Sequence, residues 1–291
     1  MGTISVIIPT YNRSEPLRAV LPSYTAQSEV LELILINDNS SMDYTETVAY
    51  ARALCEKSGI ELVYLKNEKN RGAAACRNLG VARARGEYIL WGEDDAFLRA
   101  DYAEVLLAKC RARDKSIYFG SIYYGLRPDD SAETVERIKR EAWASGGPLF
   151  DYERFLVNYQ KRVDADCEVP FGHALLLAPR AAYEGVRYAE DYAVNGFREE
   201  TDGQVRMAEK GYHIFFTSDT ECYHFPPASD KGGQHGSRFL RFQLYSVLNN
   251  NKFWDRFYAF FRERCGLGHT KAWYKRHYVI LKLAKLIKRE R

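Results

Sequence analysis

Apolar and polar positions alternate in regular blocks along the first hundred residues of the chain. Short runs rich in Val, Ile and Leu have the composition of buried strands, at residues 3–9, 31–38, 60–67 and 88–92. Between them lie longer stretches with helix signals, at residues 14–27, 43–59 and 72–86. Ser14 would cap the first helix, and Gly59 would end the second. This alternation predicts an α/β fold with a mainly parallel central sheet and helices on both faces.

The rest of the chain has a less regular pattern. A strand is predicted at residues 113–125, helix over 131–165, and a strand followed by a short helix within 171–186. Acidic residues near position 199 open a further helix, which is predicted to stop at Gly211 and to be followed by two short strands. A helical, basic extension is predicted to complete the chain.

Charge is distributed unevenly along the chain. The 291 residues are 46% apolar and 28% charged, which is typical of a globular protein, and their net charge is +3. Residues 238–291 carry 14 Lys and Arg against three acids, a local excess of +11, so the remainder is acidic. The six cysteines lack metal-type spacing, and neither a signal peptide nor a run of about 20 apolar residues occurs. We therefore expect a cytoplasmic protein with reduced thiols.

Three adjacent carboxylates, Glu93, Asp94 and Asp95, stand directly after the predicted strand at 88–92. Ligands of parallel α/β sheets bind beyond the carboxyl ends of the strands, where residues 9–12 and Asp38 also fall. The structural alternative is that the acids cap the next helix, although one acid is enough for that. Three acids favour a divalent cation, Mg²⁺ or Mn²⁺, which would bridge them to an anion such as a diphosphate.

Four segments occur in the order and spacing of family 2 glycosyltransferases of the GT-A fold, which the chain resembles over residues 3–226. The segments are SVIIPTYNR, ILINDNSSMD, NRGAAACRNLGVARARGEYILWGEDD and FREETDGQVRMAEKGYHIFFTSDTECYHF. The resemblance implies an inverting, metal-dependent transfer of a sugar from a nucleotide donor to an acceptor hydroxyl. It also implies a GT-A catalytic domain over residues 1–226, with a nucleotide-sugar half up to about residue 97 and an acceptor half from about 98. A lid loop and basic, aromatic helices would follow over 227–291.

In this family the loop after the first strand and the acid that ends the second strand hold the nucleoside. The resemblance extends donor binding to a glycine- and arginine-containing segment and to one acid of the strand-end cluster. The donor-binding residues implied are Pro9, Thr10, Tyr11, Asn12, Arg13, Asp38, Arg71, Gly72, Arg77 and Asp94. A solvated helix face is the alternative for Arg77.

The same resemblance implies a bound Mn²⁺ or Mg²⁺ ion. Asp95 matches the last acid of the family's DxD motif, and Glu93 stands in the first position. Glu93 would reach the ribose, or the metal through water. In several enzymes of this fold a histidine at the position of His224 completes the metal shell, and a structural histidine is the alternative.

A second acidic cluster, Glu199, Glu200 and Asp202, resembles the acceptor-side motif of the family. One of these carboxylates would deprotonate the attacking hydroxyl, and the alignment puts Glu200 at that position. The alternative is that all three only favour a helix N-terminus. The glycine-rich segment 228–237 is interpreted as a lid over the diphosphate, with an ordinary surface loop as the alternative.

The basic tail interleaves cationic residues with aromatic ones, among them Trp254, Phe257, Phe260, Phe261 and Trp273. This pattern suits an anionic membrane surface, which would place the protein peripherally on the inner face of a membrane. The alternative is that the apolar stripe packs on the α/β body or on a second subunit. Nucleic acid is not expected as a partner, because neither a motif nor a basic body supports it.

The function that the resemblance implies is transfer from a UDP-, dTDP- or GDP-sugar to a glycan or a lipid-linked acceptor. A non-catalytic sugar-nucleotide-binding or scaffold protein is one competing hypothesis. The other is a sugar nucleotidyltransferase, which would carry a glycine-rich, basic loop after the first strand. The segment PTYNRSEP is not such a loop.

Overall fold

A computed structural model describes residues 2–144, 146–192, 194–226 and 239–289, with the backbone alone for 239, 240 and 285–289. It has the predicted α/β fold: a mixed, mostly parallel central sheet flanked by helices, with a helical C-terminal extension. The predicted lid, residues 228–237, lies outside the described residues. All six cysteines are free thiols.

The strands of the described chain, numbered along the sequence, are β1 Ile4–Thr10, β2 Val30–Asn37, β3 Glu61–Lys66, β4 Tyr88–Trp91, β5 Ala96–Leu98, β6 Ser116–Tyr124, β7 Phe150–Asp151, β8 Leu156–Val157, β9 Cys167–Glu168, β10 Leu176–Pro179 and β11 His213–His224. Within the described residues the central sheet has nine strands in the order β3-β2-β1-β4-β10-β6-β11-β5, with β9 beside β11. Strands β1 to β4 are parallel, β10 is antiparallel to both its neighbours, and β11 is parallel to β6. Strands β7 and β8 form a separate pair.

The helices of the described chain are α1 Ser14–Thr25, α2 Thr45–Ser58, α3 Ala73–Arg83, α4 Tyr102–Ala112, α5 Ala132–Ala144, α6 Glu199–Glu209, α7 Phe239–Cys265 and α8 Lys271–Arg289. A 3₁₀ helix spans Arg180–Tyr183. Gly59 follows α2 with φ of 67°, a left-handed conformation that ends the helix as predicted. Ser14 is not the cap of α1: the helix begins at this residue, and its hydroxyl bonds to Thr47 Oγ1 at 2.8 Å.

Alternate residues of the central strands point into two hydrophobic cores, one on each face of the sheet. Val6 and Ile8 of β1 face the core covered by α1, α2 and α4. Ile7, between them, faces the core that includes α3 and Met207 of α6. Because both faces are buried, the strands have continuous apolar sequences, and their carboxyl ends carry the first polar residues.

The C-terminal helices pack on the α/β body through a third core, made largely of aromatic rings. Trp254 and Phe261 of α7 are buried against Phe155, and Tyr274 of α8 stacks on Trp254 with ring centroids 4.5 Å apart. The prediction that Trp254, Phe257 and Phe261 face a membrane is wrong, because these rings are buried inside the protein.

Two predicted elements differ from the structure. Helix covers only Ala132–Ala144 of the stretch 131–165; Gly146 and Gly147 follow with φ of 67° and 89°, which a continuing helix does not allow. Strand β11 is one strand of 12 residues rather than two. Its pairing with β6 shifts register between Phe216 and Glu221. In the sequence this irregularity has the pattern of a turn, although the strand continues through it.

Candidate active site

The carboxyl ends of β1, β2 and β4 open into one cleft with a volume of about 650 Å³, which lies within the range of small-molecule sites. The parallel strands bring together residues that are far apart in the sequence. The predicted site residues that line the cleft are Pro9, Thr10, Tyr11, Arg13, Asp38, Arg71, Gly72, Arg77, Glu93, Asp94, Asp95, Glu199, Glu200 and His224. Asn12 and Asp202, which were also predicted, are not among its lining residues.

The acids after β4 are held by close packing at the strand end. Gly92 lies so near β1 and α1 that a Cβ there would be 2.7 Å from Cγ1 of Ile8 and 2.8 Å from a ring carbon of Tyr24. The Tyr24 hydroxyl accepts a hydrogen bond from the Glu93 amide at 3.0 Å and donates one to the Ala96 carbonyl at 2.9 Å. Strand β5 follows the acids directly, so the helix-capping alternative is wrong.

Glu93, Asp95 and His224 each bring one potential ligand atom within 4.8 Å of the others. They meet because β5 pairs with β11, which sets Ala96 opposite His224. Nδ1 of His224 donates to the Phe225 carbonyl at 3.0 Å, so the neutral ring keeps its lone pair on Nε2, 3.4 Å from Oδ1 of Asp95. Two carboxylates suit both Mn²⁺ and Mg²⁺, and an oriented imidazole is acceptable to Mn²⁺, so these residues fit the predicted metal.

Negative charge is crowded around this trio. Burial, followed by the charge of Glu200, raises the pKa of Glu93 to about 8, although His224 opposes the shift. Burial lowers the pKa of His224, but the charges of Glu93 and Asp95 outweigh it and raise the pKa overall. A site with this much uncompensated negative charge favours a cation.

Arg13 partly balances the acids from the side of β1. Its Nη1 donates to Oδ1 of Asp94 at 3.1 Å and also contacts Oδ2 of Asp95. Burial and the charge of Asp95 still raise the pKa of Asp94 to about 6. Arg13 therefore fixes the orientation of both aspartates, which adds a structural task to its predicted donor-binding role.

Arg77 holds two acids of the second cluster, Glu199 and Glu200. Its side chain is only 5% exposed, so the alternative of a solvated helix face is wrong. Nε donates to Oε1 of Glu199 at 3.2 Å, and Nη2 contacts Oε1 of Glu200. The guanidinium lies over the ring of Trp91 at 5.2 Å. Burial, opposed by Arg77, raises the pKa of Glu199 to about 7.

Asp38 and Asn12 shape loops at the edge of the cleft. The carboxylate of Asp38 accepts hydrogen bonds from the backbone amides of Arg71 at 2.9 Å and Gly72 at 2.7 Å. It therefore orders the loop that carries these two residues, both of which were predicted to bind the donor. Asn12 has φ of 53°, and its Oδ1 accepts from the Ser41 amide at 2.9 Å, so its side chain joins the loops after β1 and β2.

Asp202 is separated from the other two acids of its cluster. Its carboxylate is fully buried; it contacts Arg206 and accepts hydrogen bonds from Arg256 at 3.0 Å and Tyr192 at 2.9 Å. Glu200, in contrast, has a side chain that is 35% exposed toward the cleft. Both residues lie in the first turn of α6, where acidic side chains favour a helix N-terminus, so this structural alternative also accounts for their position.

One wall of the cleft comes from a segment that the sequence analysis did not identify, between the 3₁₀ helix and α6. Its lining residues are Glu190, Tyr192, Val194, Asn195 and Gly196. Glu190 accepts hydrogen bonds from Arg71 at 3.1 Å and Asn78 at 3.0 Å, which connects this wall to the loop before α3 and to α3 itself. The segment directly precedes the second acidic cluster, and that adjacency is the signal that could have identified it.

The mixed, mostly parallel sheet brings the strand-end acids and the second carboxylate cluster into one cleft, an arrangement of the GT-A type. Residues 5–171, more than half of the chain, match Glycosyl transferase family 2, and the protein belongs to that family. Glycosyltransferase GlyA of Streptococcus pneumoniae is 31% identical over 123 residues, which cover 41% of this chain and 17% of that protein. An uncharacterized glycosyltransferase of Haemophilus influenzae is 32% identical over 106 residues, 36% of this chain and 33% of the relative. Each match spans well under half of the relative's length.

Solved structures support the same fold. The mannosyltransferase PcManGT from Pyrobaculum calidifontis, in complex with GDP-Man and Mn²⁺, has a TM-score of 0.59 and 17% identity, covering 98% of this chain and 75% of that one. S. aureus TarS 1–349, in complex with UDP-GlcNAc, has a TM-score of 0.59 and 16% identity, covering 86% of this chain and 66% of that one. These similarities confirm the predicted fold class.

Proposed function

We propose that the protein transfers a sugar from a nucleoside diphosphate sugar to a hydroxyl group of a glycan or lipid-linked acceptor, with inversion at the anomeric carbon. The observation that carries this proposal is the meeting of the Glu93, Asp95 and His224 trio with Glu200 in one cleft. The trio suits a metal-bound diphosphate, and the carboxylate suits proton removal from a hydroxyl. A scaffold protein that only bound sugar nucleotides would have no use for the second carboxylate.

The donor class is supported by membership of the glycosyltransferase family and by two neighbours of the same fold. One is in complex with GDP-Man and Mn²⁺, and the other with UDP-GlcNAc. The donors proposed for this protein are accordingly UDP-, GDP- and dTDP-sugars. The nucleoside would lie against the residues after β1 and beside Asp38, and Arg71 stands half-exposed at the cleft mouth, where it can reach a phosphate.

On the donor side, the residues of the chain bind and orient the diphosphate. A Mn²⁺ or Mg²⁺ ion held by Asp95, Glu93 and His224 would neutralise the diphosphate and stabilise it as a leaving group. Asp95 is the ligand we rank first. Its carboxylate is oriented by Arg13, and the bonds of Tyr24 to the Glu93 amide and the Ala96 carbonyl fix the backbone between them.

On the acceptor side, Glu200 is the proposed base. It is the carboxylate of the second cluster that solvent and an acceptor can reach, whereas Glu199 and Asp202 are buried. Arg77 holds Glu200 in one orientation. Glu200 would receive the proton of the acceptor hydroxyl while the oxygen bonds to the anomeric carbon and the bond to the diphosphate breaks. A single in-line displacement of this kind inverts the anomeric centre.

The proposed activity can be tested with the purified full chain. UDP-, dTDP- and GDP-sugars are screened for release of the nucleoside diphosphate with Mn²⁺ and with a chelator. At least one donor should be turned over only when the metal is present. Asp129→Ala, at an exposed acid outside the cleft, is the matched control and should behave like wild type. Absence of binding and turnover for every donor would contradict the proposal.

We further propose an anionic membrane surface as a partner of the outer face of the C-terminal helices, next to a lipid-linked acceptor. Two pairs of apolar side chains are exposed there: Leu244 (57%) and Leu248 (48%) on α7, and Ile280 (61%) and Leu283 (52%) on α8. Residues spaced three or four apart are neighbours on a helix, so each pair forms a small apolar patch. The +11 excess over residues 238–291 complements anionic headgroups. None of the helices in the described part of the chain carries an apolar stretch long enough to cross a bilayer.

A further inference from the structure

Helix α7 is attached to the wall of the cleft by polar side chains along one of its faces. Asn195 of the wall donates to Ser246 Oγ at 2.8 Å and to the Phe242 carbonyl at 3.0 Å, and it accepts from Asn249 at 2.9 Å. Asn250 accepts a bond from Nε of Arg198, which directly precedes α6, at 3.3 Å. Relative to Phe242, the other contacting positions of α7 lie four, seven and eight residues further along, which places them on one helix face.

Arg256 lies on the same face of α7, and its side chain connects two separate elements. Its Nη2 donates to Oδ2 of Asp191 in the wall segment at 2.6 Å, and its Nη1 donates to Oδ2 of Asp202 in α6 at 3.0 Å. Its guanidinium also lies over the ring of Tyr192 at 5.1 Å. Because the Tyr192 hydroxyl bonds to Asp202, the three side chains form a closed set of contacts.

Both elements that Arg256 connects reach the cleft. Tyr192 lines it directly, and Glu200 lies two residues before Asp202 in the first turn of α6. Arg256 is not among the lining residues of the cleft. A planar guanidinium that bonds two carboxylates on different elements fixes their spacing, which a single point charge does not do.

We propose that Arg256 is a positioning residue for the reaction: it holds Tyr192 and the first turn of α6 at one spacing, so that Glu200 faces the acceptor. This inference rests on the proposed function, in which Glu200 is the base. It assigns a role in transfer to α7, which lies beyond the residues that match the family. The acceptor side of the cleft is thus built partly by the C-terminal extension.

The test variant is Arg256→Met, which keeps an apolar stem beside Tyr192 but removes both bonds. We expect the variant to fold, because Asp202 keeps its contacts with Arg206 and Tyr192, and Asp191 keeps Lys252 at 3.2 Å. Arg262→Met, at an exposed arginine of the same helix, is the matched control. Arg256→Lys keeps the positive charge, but a single ammonium group does not reproduce the two hydrogen bonds that the guanidinium donates to separate carboxylates.

The first measurement is amide hydrogen exchange by mass spectrometry on the full-length proteins. We expect exchange over residues 190–202 to rise roughly tenfold or more in Arg256→Met and to stay close to wild type over residues 70–80, since loosening would be local. Equal exchange in variant and wild type would overturn the proposal. So would a uniform rise along the chain, which would mean that Arg256 only stabilises the fold.

The second measurement is Mn²⁺-dependent hydrolysis of a nucleotide sugar that the wild type turns over. Arg256→Met and Arg256→Lys should lower kcat roughly tenfold while KM for the donor stays within about twofold, and Arg262→Met should match wild type. Full activity of either Arg256 variant would overturn the positioning role. If the wild type turned over no donor, the proposed function would fail, and the exchange experiment would still decide whether Arg256 fixes this wall.

Discussion

Replacing Arg77 with methionine should expose how strongly the cleft depends on one buried ion pair. Arg77 and Glu199 have side chains that are 5% and 3% exposed, and their Nε and Oε1 atoms lie 3.2 Å apart. The variant fills most of the space of the arginine but leaves Glu199 buried without its cation. Removing one partner of a buried pair typically costs about 3–5 kcal/mol, because the remaining charge is uncompensated. We expect a loss of unfolding free energy in that range at alkaline pH.

The loss should depend on pH in a defined direction. Burial already raises the pKa of Glu199 from its ordinary value of 4.5 to about 7, and Arg77 opposes this shift. Without Arg77 the pKa rises further. The folded state then binds a proton that the unfolded state has released, so stability falls by about 1.4 kcal/mol per pH unit until the pH passes the folded-state pKa. In wild type this fall ends near pH 7, whereas in Arg77→Met it continues to higher pH.

Urea unfolding followed by circular dichroism, at about pH 6 and about pH 8.5, measures this difference. The difference in unfolding free energy between wild type and Arg77→Met should be larger at the higher pH. The double variant Arg77→Met/Glu199→Gln removes the unpaired charge and should recover at least half of the loss. A loss below about 1 kcal/mol, the same loss at both pH values, or no recovery in the double variant would refute this reasoning.

Two further predictions concern the proposed base and the outer face of the C-terminal helices. Glu200→Gln should lower turnover roughly 100-fold or more and leave nucleotide affinity unchanged, while Asp129→Ala should lower neither; a fast Glu200→Gln enzyme would mean that the base is misassigned. Full-length protein should co-sediment with phosphatidylglycerol vesicles at low salt and not with phosphatidylcholine vesicles, and Ile280→Asp/Leu283→Asp should abolish this binding. Protein that ignores anionic vesicles, or a variant that binds them like wild type, would exclude this surface.

The substitutions Ile280→Asp and Leu283→Asp leave the third core intact. Deleting residues 270–291 would instead remove Tyr274, which stacks on Trp254 in the third core. A deletion would therefore remove the proposed membrane surface and destabilise the protein at the same time. The two substitutions change only exposed side chains, so a loss of vesicle binding would not be confused with unfolding.

The sheet and the cluster of polar residues at its carboxyl edge could be predicted because their signals are local. Each central strand is an apolar run that ends in polar residues, and parallel strands bring those ends together. Glu93 and Asp95 therefore pointed to a cation from the sequence alone, and the structure adds that β5 pairs with β11 and brings His224 beside them. The metal role of these residues stays a prediction.

The surroundings of the second acidic cluster could not be predicted to the same depth, because their contacts connect distant parts of the chain. Arg77 meets Glu200 from 123 residues away, and Arg256 reaches Asp202 across 54 residues. Spacing along one helix does not reveal which acid is accessible and which is buried by partners from elsewhere. The aromatic stripe of α7 was ambiguous for the same reason, since a stripe that packs on Phe155 has the same pattern as one that lies on a membrane.

The proposed function requires metal-dependent nucleotide binding at Asp95, and calorimetric titration of UDP and GDP tests this binding most directly. Wild type and Asp129→Ala should bind at least one of these nucleotides in Mn²⁺ and lose that binding in excess chelator. Asp95→Ala should fold normally and bind at least about 100-fold more weakly, since even residues behind the direct metal ligands typically contribute 10–100-fold. Equal affinity of wild type with and without metal, or of Asp95→Ala and wild type in Mn²⁺, would contradict metal-dependent binding at Asp95.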